Sequence, residues 1–140
     1  MKEHQSGSQI EANKILVRTF LSCVENGDFG KSFDQIVDEN YNDHLQGQGA
    51  GRGNLKNYLT ALKTAFPDLK WPVHAIVAEG DFVAVYNGVT GTHQADFGPF
   101  PASGKPVNVT AFQLYRIADG KLAEHWELAD FPALASQLQL

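Results

Sequence analysis

The chain has 140 residues, 43% of them hydrophobic and 19% charged, with a formal net charge of −5. This length and composition suit one globular domain, 1–140, burying roughly two-thirds of its unfolded surface, so that a core and a pocket can coexist. Lys and Arg are scattered without a basic run, which argues against nucleic-acid and anionic-membrane partners, and no apolar stretch approaches the roughly 20 residues that span a bilayer.

Residues 1–9 lack the apolar core of a signal peptide, so a cytoplasmic protein is expected, with residues 1–7 a frayed tail. The one cysteine, Cys23, excludes an internal disulfide and falls in an apolar helical run. Ser8 and Glu11 read as a capping box, followed by Ile10, Leu16, Val17, Phe20, Leu21 and Val24 on one helix face; Asn26-Gly27 is a suitable stop. Phe29, Phe33, Ile36 and Val37 repeat the spacing over a second, short helix, with Asp28 as its cap. The glycine-rich stretch 42–53 reads as a loop. Leu55, Tyr58, Leu59, Leu62 and Phe66 then define a third helix, ended by Pro67.

After Pro67 the apolar period changes from 3.6 to 2. Residues 71–78 and 82–92 read as strands joined through Glu79-Gly80-Asp81, and 107–117 and 122–130 as strands joined through Asp119-Gly120. A proline-rich loop covers 94–106, Pro132 closes the last strand, and 134–140 is a short amphipathic tail. The expected fold is α+β: three N-terminal helices packed on a long, strongly curved antiparallel sheet, forming a cone with an internal pocket.

Chemistry concentrates in the last strand, where Glu124, His125, Glu127 and Asp130 fall within seven residues although acidic residues are depleted in strands. A solvated sheet face that collects charges is the plain explanation, and an acid–base group in a pocket the functional one. A two-residue turn at Asp119-Gly120 pairs Ile117 with Leu122, Gln113 with Trp126 and Phe112 with Glu127. That count sets Gln113 and Glu127 on opposite faces.

Elsewhere, His93 ends a strand at the mouth of the proline-rich loop, and His44 follows Tyr41 in a polar turn; each also reads as an ordinary structural or exposed histidine. Metal-site spacings such as HExxH and paired cysteines are absent, as are a GxSxG nucleophile and a P-loop, although His93, His125 and Glu127 could in principle form a facial triad. No metal and no cofactor are expected. What remains is general acid–base chemistry, a carboxyl buried among aromatic groups having its pKa raised toward the working range.

The run Glu79-Gly80-Asp81, Gly91-Thr92-His93, Gly104-Lys105, residues 116–121, Glu124-His125-Trp126 and Asp130, with the Gln137-Leu138 ending, resembles the SnoaL-like polyketide cyclases, within the nuclear transport factor two-like superfamily of α+β cones. The resemblance spans nearly the whole chain and is densest after Glu79. It implies a cofactor-independent lyase or isomerase type of enzyme that closes an aldol ring on a hydrophobic carbonyl compound, with Glu127 where the family carries its acid–base Asp. Gln113 stands where the family has a pocket His, and His93 keeps its Gly-x-His signature. The family's Tyr…His-Asn-Pro turn survives as Tyr41 and His44, with Leu45 and Gln46 in place of Asn-Pro. On this reading Glu127, His93 and Gln113 are catalytic, and His44, Tyr41, Tyr58, Phe100, Phe112, Trp126 and Asp130 bind substrate. A β-bulge in one of the last two strands would bring Gln113 and Glu127 to one face. Two alternatives accompany it: a non-catalytic binding or dimeric interaction module, and a hydrolase or isomerase of the same fold. A homodimer through the outer sheet face is expected, because apolar residues occupy both faces.

Overall fold

The computed structural model describes residues 7–45 and 49–138. Helix α1 (Gly7–Asn26) buries Val17, Phe20, Leu21 and Val24, the stripe that a 3.6-residue period lays against a sheet. It is helical from Gly7, so Ser8 lies in its first turn, and the tail expected over 1–7 otherwise falls outside the described residues.

Helix α2 (Lys31–Ile36) ends one residue before the expected point. Val37 adopts φ −118° and ψ 127° and opens a strand, β1 (Val37–Asp43), that the sequence did not suggest. Five of its seven residues are Asp, Glu or Asn, poor strand formers, and only Val37, Tyr41 and Asp43 are buried. Tertiary pairing overrides local preference here, and Arg52 ties the junction by donating to the carbonyls of Asp34 (3.2 Å) and Val37 (3.0 Å). A two-residue strand, β2 (Gly49–Ala50), interrupts the expected 42–53 loop; Gln46 lies outside the described residues. Helix α3 (Arg52–Ala65) stops before Pro67 as expected.

The remaining strands match the alternation closely: β3 (Val73–Glu79), β4 (Phe82–Thr92), β5 (Pro106–Ala118) and β6 (Lys121–Ala129). A fourth helix, α4 (Phe131–Leu138), begins three residues before the expected tail and carries Pro132 in its first turn, where a missing N–H costs nothing. The six strands form one sheet in the order β2-β1-β6-β5-β4-β3. Every pairing is antiparallel except β1 with β6, which is parallel and so corrects a wholly antiparallel sheet. No hairpin links these two distant segments, so no turn imposes direction on them.

One irregularity decides which residues face inward. Asp119 and Gly120 both have positive φ (52° and 72°), the geometry of a two-residue hairpin turn, and Ile117 pairs with Leu122 as counted. Arg116, however, pairs with Glu124, leaving Ala123 as an extra residue in β6. Beyond this bulge the facing reverses, so Tyr115 pairs with His125 and Gln113 with Glu127. The inner face carries Val83, Val85, Ala111, Tyr115 and Leu122, all buried with the apolar stripes of the helices. The outer face leaves Val77, Phe112 and Leu128 at 65%, 61% and 80% exposure.

Candidate active site

A narrow cavity of about 50 Å³ opens between the inner sheet face, α3, the proline-rich loop and α4. Its wall is mostly apolar, with Leu62, Phe66, Trp71, Phe97, Val107, Val109 and Leu134, and its polar groups are Glu127, Tyr58 and Asp130. Roomier hollows are surface grooves, one of about 470 Å³ along α1 and the start of α2 and one of about 630 Å³ on the outer sheet face.

Glu127 enters this wall because the Ala123 bulge turns it inward. Its side chain is only 14% exposed, and the imidazole of His125 stands beside it, with Nε2 4.0 Å from Oε1. Burial pushes its carboxyl above the usual carboxylate range; His125 opposes that shift and Asp43 adds to it. The Tyr58 hydroxyl is likewise raised, first by burial and then by Glu127 and Asp43, so it stays a proton donor. The cavity therefore holds a carboxyl suited to exchanging protons and a neutral hydroxyl in apolar surroundings.

Behind Glu127 runs a buried polar chain that links β1, β6, β5 and β4. Asp43 accepts from the Tyr41 hydroxyl (3.1 Å) and the Leu45 amide (2.9 Å), and both its oxygens lie 3.0 Å from His125 Nδ1. His125 Nε2 is 2.9 Å from Gln113 Oε1, which also takes the Tyr115 hydroxyl at 2.7 Å. Gln113 Nε2 donates to Asn87 Oδ1 (2.9 Å), and Asn87 Nδ2 to the Gly88 carbonyl (2.9 Å). Each of these side chains is at least nine-tenths buried and each is satisfied, which is the condition under which a polar cluster rigidifies a core.

The structure brings Glu127, Tyr58 and Asp130 to the cavity wall, with Asp130 also capping α4 through a hydrogen bond from the Ala133 amide (3.0 Å). Gln113 and Tyr41 stand one layer behind, in the polar chain. The other expected contacts fall elsewhere. Phe112 and Trp126 point to the outer face, because the bulge that turns Glu127 inward turns its neighbours outward; Phe112 stacks there on Tyr86. His44 stacks on Trp126 at 4.7 Å and meets Glu124 at 2.6 Å, and Arg116 meets the same carboxyl at 2.8 Å. Arg116 first, and then His44, hold the Glu124 carboxyl below its usual range. His93 is wholly buried, with Nδ1 2.9 Å from Ser103 Oγ and its ring against Phe66, so it anchors the proline-rich loop behind the wall. Phe100 pairs its backbone with Phe97, and Phe97 is the one that lines the cavity.

Asp43, Asn87, Tyr115 and Trp71 escaped the sequence reading. Period-two spacing of His125 and Glu127 was the available signal for one face, but nothing local marks Asp43 as the partner of a residue 82 positions away. Among the described residues no three His, Cys, Asp or Glu side chains are grouped so as to hold a metal ion. None of their helices is long and apolar enough to cross a membrane.

Solved structures share this architecture. TsrD from Streptomyces laurentii superposes with a TM-score of 0.84 at 23% identity, over 91% of this chain and 95% of its own. A SnoaL-like protein from Jannaschia sp. CCS1 gives 0.85 at 22% identity, over 98% and 97%. A SnoaL-like polyketide cyclase from Agrobacterium tumefaciens gives 0.78 at 19%, over 91% and 98%. At these identities the likeness carries the fold alone. No curated protein matches the chain. The SnoaL-like polyketide cyclase family itself matches residues 14–138, nearly the full length, and the chain belongs to that family.

Proposed function

We propose that the protein is an acid–base enzyme that moves a proton beside a carbonyl group of a hydrophobic small molecule, as an aldol cyclase or related lyase or isomerase, with Glu127 as the general base and acid. The observation that carries this reading is Glu127 itself, a carboxyl in a mostly apolar cavity wall whose proton affinity burial has raised. Glu127 carboxylate takes the proton from the carbon beside the carbonyl, and the C–H electron pair passes into an enolate. The Tyr58 hydroxyl donates a hydrogen bond to the developing oxyanion. The enolate carbon then bonds to a second carbonyl carbon, and the resulting alkoxide takes its proton back from Glu127. The cycle balances with no other reactant, so the reading needs no cofactor. His93 and Gln113 support the site from behind its wall.

The narrowness of the cavity favours a second reading, a small-molecule-binding module without turnover. A ligand site is commonly about 300–1,000 Å³, far above the 50 Å³ here, so a polycyclic substrate requires the loop or α4 to yield. The experiment is exchange of α-hydrogen for deuterium in cyclic 1,3-diketone probes, followed by NMR with excess protein. The enzyme reading expects exchange above buffer, lost at least ~100-fold in Glu127→Gln and reduced ~10-fold or more in Tyr58→Phe. Saturable binding with buffer-level exchange supports the module, and unchanged exchange in Glu127→Gln overturns the role of Glu127.

On the outer sheet face, the exposed Val77, Phe82, Phe112 and Leu128 support a homodimer formed by two copies of that face.

A further inference from the structure

The buried polar chain behind Glu127 has one self-consistent direction. A carbonyl oxygen accepts hydrogen bonds and never donates. The Gly88 carbonyl therefore requires Asn87 to present its NH2, which turns Asn87 Oδ1 toward Gln113. Gln113 answers with its own NH2, so its Oε1 is what faces the Tyr115 hydroxyl and His125 Nε2. Both of those groups must then donate. On the other side of the ring, Nδ1 lies 3.0 Å from each oxygen of Asp43, which already accepts from the Tyr41 hydroxyl and the Leu45 amide. An acceptor thus faces each nitrogen of the imidazole. Turning the Asn87 amide over would set its oxygen against the Gly88 carbonyl. Turning Gln113 alone would set its oxygen against Asn87 Oδ1, and an orphaned buried polar group costs ~1–3 kcal/mol.

We infer that Asn87 is a positioning residue: its amide, oriented by the Gly88 carbonyl and relayed through Gln113, holds His125 with a proton on both ring nitrogens. The ring then stands beside Glu127 as a fixed positive group and leaves the proton traffic to the carboxyl. The charged and titratable groups around it are Asp43 and Tyr41 from β1, Tyr115 from β5 and Glu127 from its own strand, with Tyr115 stacked on the ring at 4.7 Å. The inference concerns a protonation pattern and holds whether or not the cavity turns over a substrate.

The test is a long-range proton–nitrogen correlation spectrum of uniformly 15N-labelled protein at neutral pH, with the His125 ring assigned by its loss in His125→Gln. Two protonated ring nitrogens on His125 are expected; one protonated and one bare nitrogen overturns the proposal. In folded Asn87→Ala the Nε2 proton signature should disappear. Unchanged His125 signals in that variant would reduce Asn87 to a packing role and overturn its positioning. Gln113→Glu keeps an acceptor against Nε2 without needing Asn87, so both ring protons should persist in it, alone or combined with Asn87→Ala. Their loss there refutes the relay even if Asn87→Ala alone fails to fold.

Discussion

Gln113 faces Glu127 directly across the β5–β6 ladder, and it does so because Ala123 is one residue more than the pairing needs. Were Ala123 paired with Arg116 instead, the same hairpin would oppose Gln113 to Trp126, putting an indole and the Leu128 side chain where the carboxyl now lies. A single unpaired residue thus selects which chemistry the inner face carries.

Deleting Ala123 should therefore be tolerated better than deleting a paired strand residue. Leu122 then runs directly into Glu124, and the pairs Arg116–Glu124, Tyr115–His125 and Gln113–Glu127 can all persist with His125 and Glu127 on the inner face. The expected loss stays below ~3 kcal/mol, measured by urea denaturation, against a larger loss for deleting the paired Trp126, which would turn Glu127 outward; a deletion of Ala123 as damaging as that of Trp126 would show that Ala123 is not the unpaired residue.

Asp43 and His125 form the most deeply buried acid–base contact in the described residues, with side chains 5% and 6% exposed. Removing one partner strands the other, and such breaks typically cost ~3–5 kcal/mol. Asp43→Asn and His125→Gln should each be strongly destabilising, and the double variant much less so than their sum. Additive losses in that cycle would mean the two side chains act independently.

The pH dependence of stability follows from Glu127. Its folded-state carboxyl titrates above the value of 4.5 expected in an unfolded chain. The stability linked to its proton is present in full below 4.5 and is lost as pH rises through the folded value, because the native state then has to bury a charge. Glu127→Gln stays neutral throughout, so its Tm should match the parent at low pH and exceed it by several degrees under alkaline conditions. A Tm difference independent of pH would contradict the shift. The same residue should show the opposing cost in activity, a common balance at functional sites.

The outer face yields a prediction about assembly. Phe112 and Leu128 are register partners there, at 61% and 80% exposure, so charging them costs the single chain little. Phe112→Glu combined with Leu128→Lys should leave Tm of the isolated chain within a few degrees and convert a dimer to a monomer in sedimentation velocity. If the double variant sediments as the parent does, this face is not the interface.

Much of the architecture could be read before the fold was known. The stripe Val17, Phe20, Leu21, Val24 and the two-residue alternation after Pro67 are local patterns that depend only on backbone geometry, and α1, α3, β4 and the Asp119-Gly120 turn follow them closely. Strand β1 was not legible, because Asp38, Glu39, Asn40 and Asn42 have no strand preference, and the strand is held by the pairing of Val37, Asn42 and Asp43 with β6. For the same reason His44 was expected to bind substrate, whereas it is a partner of Glu124 and Trp126 on the far side of the sheet.

Glu127 marks the division between the two kinds of information. The sequence alone determined that a carboxylate-rich strand comes last in an α+β fold, and the family resemblance implied an acid–base role for Glu127. Only the tertiary structure decided that this carboxyl faces the cavity, that Phe112 and Trp126 do not, and that Asp43, His125, Gln113 and Asn87 stand behind it. The reason is physical. A side chain's chemistry is written in its residue type, but its facing depends on register, and its proton affinity on burial and neighbours. Those neighbours are brought together from strands up to 82 positions apart.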